Sequence, residues 1–396
     1  RQAFTQASLL APVAGDLPPV VRRYRELARE AYRWHISPEV EARVARAARV
    51  APVVETVRAA ALAFVRGRAA AAEGMSRAAQ FRAMLALRRA GVRAADFHRF
   101  TLHRVPARER PFIVNYLEGS LVQKYLHRDA DRLAVDDKLR LAAAARAAGL
   151  AVPPIVATVA PGDDPAALAA LLPPRDLFAK RVDFGWGIGA MRFVWDDARA
   201  SWRDAEGVVR DAGALARHLV ETSVTGPLVV QPRLANGGSV AALTPGALAT
   251  LRIVTLRARR DSSPELLGAA LRMPVAADAI TDNFAGGGVA APVVDAAGTL
   301  GAGATKASFT RRLAAHPATG AAIEGRRIDE FPAAVELATR AHALFPDILS
   351  VGWDVAVTAD GPVLVEGNVA WCPELMQQTS GRPLLLTPYG EACAAL

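Results

Sequence analysis

The chain has 396 residues, a length of about two to three domains. A hydrophobic share of 52% and a charged share of 22% allow a sizeable core and exclude a disordered chain. No uncharged apolar run approaches about 18 residues, so no membrane-spanning helix is expected. Two cysteines, Cys372 and Cys393, exclude a disulfide framework and a four-cysteine zinc site and point to a reducing compartment, the cytoplasm. Residues 8–15 weakly mimic the apolar centre of a secretion signal; with only Arg1 before them, they are not expected to be one.

The charge is uneven. Residues 1–115 hold 21 Arg, no Lys and 9 acids, net +12, against +9 for the whole chain. Two readings stay open for this basic front: solvated helix faces in an arginine-rich composition, or a surface for an acidic partner or an anionic membrane. Nucleic acid is not expected. Tyr24, Tyr32, Trp34, Phe64, Phe81, Phe97 and Phe100 recur at helical spacing, which suits core packing better than base stacking. His98 and His103 have no partnering acid motif and read as core or solvated histidines.

In chain order, residues 20–100 read as helices. Val20, Val21, Tyr24, Leu27, Ala28 and Tyr32 recur at three- and four-residue spacing, Ser37-Pro38-Glu39 opens a second helix, and Gly91 and Pro106 act as stops. After residue 135 short β-like runs alternate with helices. Asp137-Lys138 opens an amphipathic helix that stops at Gly149, and Ile155–Val159 reads as a strand. Residues 161–175 form a linker with a short helix, and Leu177–Val182 is a strand carrying Lys180. Gly185, Gly187 and Gly189 follow, with a second strand at Met191–Trp195. A dinucleotide fingerprint needs a helix after the glycines; a strand follows here, so they sit at a hairpin tip. Such a tip is either a plain turn or a flap whose backbone N–H groups close over phosphates. No P-loop motif is present.

Lysine is rare: Lys124, Lys138, Lys180 and Lys306 are the only four. In an arginine-rich composition a Lys hints that a compact ammonium is wanted. Further on come a strand ending Val230-Gln231-Pro232-Arg233, an alternating strand Thr250–Leu256 with Arg252 on its polar face, and a strand reaching Arg272-Met273. A polar glycine loop at Asp282-Asn283 precedes a helix over 330–344. The last piece is a hairpin. Ile348–Val357 carries Asp354, Asp360-Gly361 turns, and Pro362–Asn368 carries Glu366 and Asn368 on one side, with Asp354 opposite. Two carboxylates and an amide oxygen on one face suit Mg²⁺ bound together with phosphates; a salt-bridged role for the acids is the alternative.

This order of parts resembles the ATP-grasp superfamily. More narrowly, residues 115–390 look like its sugar-transfer-associated group, related to the α-glutamate ligases, on Phe178-Ala-Lys-Arg, Val230-Gln-Pro-Arg-Leu, Thr250-Leu-Arg-Ile-Val-Thr-Leu, Asp282-Asn-Phe-Ala-Gly-Gly, His316-Pro-Ala-Thr-Gly, Gly352-Trp-Asp-Val-Ala and Glu366-Gly-Asn. The resemblance implies an α+β, ATP-grasp fold, two subdomains clamping ATP, preceded by a helical region. The implied division is 1–115 basic and helical, 116–175 leading in, 176–235 with the glycine flap, and 236–396 with the metal site. It implies ATP and two Mg²⁺ as cofactors. Lys138 and Lys180 would meet the phosphates under the Gly185–Gly189 flap, and the backbone around Val230, Gln231, Pro232 and Arg233 would meet adenine. Asp354, Glu366 and Asn368 would hold the metals. Arg252, Arg272 and Asn283 would face the γ-phosphate and the acceptor. Gln231-Pro232 stands where many relatives have paired Glu, so no ribose-binding acid is evident. The implied activity is carboxylate–amine ligation through an acylphosphate, on a small molecule, a peptide or a carboxylated sugar or glycan precursor. A phosphotransferase, and a nucleotide-binding protein that recruits a partner without turnover, are the alternatives. A homodimer is compatible with all three.

Overall fold

The computed structural model describes residues 16–182, 189–244, 246–276, 278–282, 284–306 and 308–396, with the side chains of 48–50, 285 and 308–311 also left out. The signal-like segment 8–15, Gly185, Gly187 and Asn283 lie outside the described residues. No helix among the described residues is long and apolar enough to cross a membrane.

The front is helical: α1 (Pro19–His35), α2 (Pro38–Val65), α3 (Arg77–Arg88) and α4 (Ala94–Arg99), followed by α5 (Tyr116–Leu126). Pro19 starts α1 at a position where its missing N–H costs nothing, and Val21, Tyr24, Ala28, Ala31 and Tyr32 form its buried stripe. Ser37 caps α2 through its Oγ, which accepts from Val40 N.

That stripe does not pack on the front alone. Val21, Tyr24 and Leu27 share one hydrophobic cluster with Val122, Val254, Leu256, Trp371 and Tyr389. Arg25 ties the same seam. It is buried, ion-paired with Glu118, and donates to the carbonyls of Ala90 (3.0 Å), Pro111 (3.1 Å) and Ile113 (2.7 Å). Packing therefore runs continuously across residue 115, where the composition changes.

Beyond it, α6 (Lys138–Ala147) is capped by Asp137, whose carboxylate accepts from Leu139 N and Arg140 N. Gly149 stops it with φ +67°, a conformation glycine adopts without penalty. The first sheet has strands β1 (Ala157–Val159), β2 (Leu177–Arg181), β3 (Met191–Asp196), β4 (Ser201–Arg203), β5 (Val209–Arg210) and β6 (Leu228–Pro232), in the order β1-β6-β2-β3-β4-β5. Helix α7 (Ala212–Ser223) covers one face through Leu215, Ala216 and Leu219, which join Leu177, Ala179, Phe193 and Val230 in one core. β2 and β3 pair antiparallel, so the glycine segment links a hairpin, as its flanking residues predict.

The second sheet has β7 (Thr250–Arg257), β8 (Pro264–Met273), β9 (Val289–Pro292), β10 (Gly303–Thr305), β11 (Ser308–Leu313), β12 (Ser350–Thr358) and β13 (Gly361–Asn368). Their order is β11-β10-β9-β8-β7-β12-β13. Helix α8 (Phe331–Ala343) buries Phe331, Ala334, Leu337 and Ala338 against Ile253, Leu271, Trp353 and Val355. Between β12 and β13 the register shifts: Asp354 pairs with Glu366 but Val355 pairs with Leu364, leaving Val365 as a bulge. Helices α9 (Pro373–Ser380) and α10 (Pro388–Ala394) close the chain.

Two neutral histidines anchor the entry to β12. His127 accepts from Leu349 N at 2.8 Å and donates to Gln123 O at 2.6 Å. His342 donates to Ile348 O at 2.9 Å and accepts from Thr255 Oγ1 at 2.7 Å, and Thr255 Oγ1 in turn accepts from Trp353 Nε1. Burial pushes each imidazole down to about 4. The unfolded chain takes up these protons near pH 6.5 and the folded one does not, so this stabilisation is complete above pH 6.5 and is lost as pH falls towards 4. Urea denaturation should therefore show stability falling from about pH 6.5 to 4, by up to about 3 kcal/mol for each histidine. A flat profile across that window would refute the assignment.

Candidate active site

The period-two geometry of the two sheets builds the site. In the second sheet Ala270, Arg252, Asp354 and Glu366 lie in register across β8, β7, β12 and β13, and Arg272 pairs with Thr250 in the adjoining row. The alternate residues Leu251, Ile253, Leu271 and Val355 face the core. In the first sheet Gln231, Phe178 and Arg192 form one row across β6, β2 and β3, with Lys180 two residues beyond Phe178. Both rows face one cleft of about 350 Å³. It is lined by Lys138, Lys180, Gln231, Pro232, Arg233, Arg252, Arg272, Asp354, Glu366 and Asn368 of the residues the sequence singles out.

Val230 turns its side chain the other way. It shares the face of Leu177 and Ala179 in the core, and its carbonyl accepts from Val156 N at 2.8 Å, so it does not line the cleft. One step along a strand turns a side chain to the other face. Gly189 has φ +74° at the start of the return strand and also stays off the lining.

Eight cationic side chains and four carboxylates line the cleft among the described residues, an excess that suits a polyanion. Lys138 and Lys180 are both buried. Lys138 is the first residue of α6, where the helix dipole adds to its own positive field; this is poor for helix stability and good for an anion. Its Nζ lies 3.8 Å from Glu366 Oε1 and 3.4 Å from Val182 O. Burial pulls the Lys180 ammonium below its usual range, Glu366 opposes this, and Lys138 adds to it.

The centre is a buried ion cluster. Asp354 accepts from Arg252 Nε at 2.6 Å, Arg252 Nη2 at 3.2 Å and Arg272 Nη2 at 2.9 Å. Arg272 Nη2 also lies 3.1 Å from Asp282 Oδ1, and Arg272 donates to Thr250 Oγ1, whose hydroxyl donates to Asp282. Burial would raise the Asp354 carboxyl, but Arg252 and Arg272 outweigh it and hold it below the usual carboxylate range. Asp282 has weaker compensation, so burial raises it despite Arg272.

The donor set can be judged for magnesium on these contacts. Glu366 is partly open to solvent, and Asn368 turns its amide nitrogen to Gly352 O at 3.4 Å, which leaves its Oδ1 as an acceptor. One carboxylate and one amide oxygen beside bound phosphates fit Mg²⁺, which keeps waters and phosphate ligands. The Asp354 oxygens are occupied by two guanidinium groups, and no group of three or more His, Cys, Asp or Glu among the described residues is placed to hold a metal.

Sequence reasoning missed several lining residues. Phe178 and Arg192 were within reach of strand alternation, since they share the row of Gln231. Thr250, Asp282 and Lys306 also line the cleft. Arg99 and Tyr116 from the front, and Cys372, Glu374, Leu375 and Gln378 around α9, carried no local signal; tertiary packing alone brings them in.

With this geometry in view, comparison with known proteins decides the family. The profile of the sugar-transfer associated ATP-grasp family matches residues 117–387. The chain belongs to that family. Its α+β architecture of two antiparallel sheets with a helical front is accordingly an ATP-grasp fold. Among curated proteins the sequence finds no match. Among solved structures, this ATP-grasp chain is similar to the D-cycloserine synthetase DcsG (18% identity, 66% of this chain and 70% of that one, TM-score 0.38). It is also similar to the D-alanine-D-alanine ligase from Coxiella burnetii (14%, 66% and 57%, 0.37). A third is the RimK domain ATP-grasp protein from Sphaerobacter thermophilus (17%, 67% and 67%, 0.34). The chain thus spans little more than half the length of the second. Likeness at this level adds nothing to the family assignment.

The ion cluster yields a prediction. Asp354→Ala leaves two buried guanidinium groups sharing one remaining carboxylate, Asp282. Urea denaturation should show a loss of about 3–5 kcal/mol. A loss under about 1 kcal/mol would mean that the guanidinium groups are solvated and the cluster is not a structural unit.

Proposed function

We propose that the cleft binds ATP and a carboxylate, and that the protein is an ATP-dependent carboxylate–amine ligase acting on a small molecule, a peptide or a carboxylated glycan precursor. One observation carries this reading: two buried lysines, the buried Arg252, the part-buried Arg272 and the Glu366–Asn368 pair share one cleft in a member of an ATP-grasp family. Enzymes of the family use ATP and typically Mg²⁺.

In this reading Lys138 and Lys180 neutralise the triphosphate, and the N-terminal field of α6 adds to them. Phe178, with Gln231, Pro232 and Arg233, forms the nucleotide end. Mg²⁺ held by Glu366 and Asn368 would supply further charge neutralisation. Arg252 and Arg272 orient the incoming carboxylate, and their ion pairs with Asp354 and Asp282 hold them in place. The buried guanidinium groups face the point where negative charge builds up on the acceptor, and their fixed geometry means little reorganisation on reaction. The transferred phosphoryl group becomes an acylphosphate on the carboxylate, and an amine then displaces phosphate. No nucleophilic side chain is needed for this sequence of steps.

Mass spectrometry of reactions holding ATP, Mg²⁺ and pooled acids and amines tests the proposal. ADP formation that requires both an acid and an amine, with a product of their summed mass less water, is the expected result. ADP formation with one acceptor and no amine would replace the ligase by a phosphotransferase. Lys180→Ala should lower turnover by about 10²-fold or more with an unchanged circular dichroism spectrum. Wild-type rates would remove Lys180 from the phosphate site. Glu366→Gln should weaken nucleotide binding in Mg²⁺ but leave binding in EDTA unaltered; calorimetry that shows equal losses in both would separate Glu366 from the metal.

A further inference from the structure

Two adjacent glutamines on α9 behave in opposite ways. Gln377 is saturated: its Oε1 accepts from Val114 N at 2.9 Å and Leu384 N at 3.0 Å, and its Nε2 donates to Val114 O at 2.6 Å and Pro373 O at 3.1 Å. Gln378 is 4% exposed and lines the cleft, yet among the described residues neither its Oε1 nor its Nε2 has a hydrogen-bond partner. A buried amide without partners is costly, and native structures rarely keep one without a reason. Gln377 shows that this helix can satisfy a buried glutamine when the protein is the partner.

The surroundings define the missing partner. Glu374 is one helical turn before Gln378 and lines the cleft beside it. Its charge is already matched: Oε1 accepts from Arg99 Nη1 at 2.8 Å and Tyr116 N at 3.1 Å. Leu375 and Phe284 make an apolar wall. Arg99 is thus already engaged by Glu374, and a neutral group offering a donor and an acceptor side by side would satisfy both ends of the Gln378 carboxamide.

We propose that Gln378 is the floor of an acceptor subsite that selects carboxylates carrying a neutral donor–acceptor pair, either a peptide-type amide or adjacent sugar hydroxyls. The inference rests on reading the cleft as a ligase site and adds its substrate class. It also gives the helical front a part in the site, because Arg99 and Tyr116 fix Glu374.

The test uses three carboxylates: N-acetylglycine with an amide, glucuronate with hydroxyls, and butyrate with neither. Binding to the full chain with Mg²⁺ and ADP is followed by saturation-transfer NMR, and ADP formation with a pooled amine is followed in parallel with ATP. In the wild type, N-acetylglycine or glucuronate should bind about tenfold or more tightly than butyrate, and which one does so identifies the source of the pair. In Gln378→Leu the preference should vanish, ADP affinity should stay, and the melting temperature should hold or rise, since an unpaired amide has gone. Gln378→Met, equal in length, repeats the comparison should leucine strain the helix. Equal affinity for all three acids in the wild type, or a preference kept in the variants, overturns the proposal. Acid- and amine-dependent ADP formation without a preference sinks the subsite and leaves the ligase. A preference in binding without ADP formation does the reverse.

Discussion

Two guanidinium groups buried in the middle of a β-sheet set the terms for the rest of the molecule. Arg252 and Arg272 cannot leave water without carboxylates beside them, and Asp354 and Asp282 are the ones within reach. Asp354 can serve both only if β12 lies next to β7 in the observed register, with β8 on the far side. An apolar row would give comparable stability with fewer conditions. A charged row on the cleft face therefore makes sense for what it presents: two permanently cationic groups held rigid in a site where an anion arrives.

Much of this was legible in the sequence because strands alternate strictly. A polar residue between apolar neighbours, as at Arg252 and Asp354, announces a face, and the Asp360-Gly361 turn sets the pairing as far as Val355 and Leu364; the bulge at Val365, which brings Glu366 opposite Asp354, carried no such signal. The same alternation turns the Val230 side chain to the core, since it precedes Gln231 on one strand. The contribution of α9 was not legible. Gln377 and Gln378 look alike in the sequence, and only the position of Val114 against the helix separates a structural amide from one left open to the cleft. The pairing of Asp354 with Arg252 and Arg272 was not legible either, because strand alternation places a residue on a face without saying which neighbour reaches it.

The helical front gives a related lesson. Its charge suggested a separate surface element, and most of its arginines do lie outside. Arg25 does not: it is buried, paired with Glu118 and bonded to three carbonyls, in the seam where Tyr24 meets Tyr389. Composition describes what a region shows to solvent, and the apolar stripe of α1 decides what it is packed against. Through Arg99 and Tyr116 the same region reaches the cleft rim.

The extra residue at Val365 has an evolutionary side. Leu364 and Glu366 are two apart, and in an unbroken strand they would point the same way; the bulge sends the first into the core and the second into the cleft. Loop lengthening at the Asp360 tip would leave that phase untouched, and deleting Val365 would give plain alternation with Leu364 in the core and Glu366 still opposite Asp354, whereas straightening the strand with Val365 kept would turn Glu366 to the core face. The phase of Glu366 and Asn368 thus depends on the extra residue remaining a bulge: a strand that absorbed Val365 into its regular pairing would still zip, with Val365 in the place of Glu366 opposite Asp354.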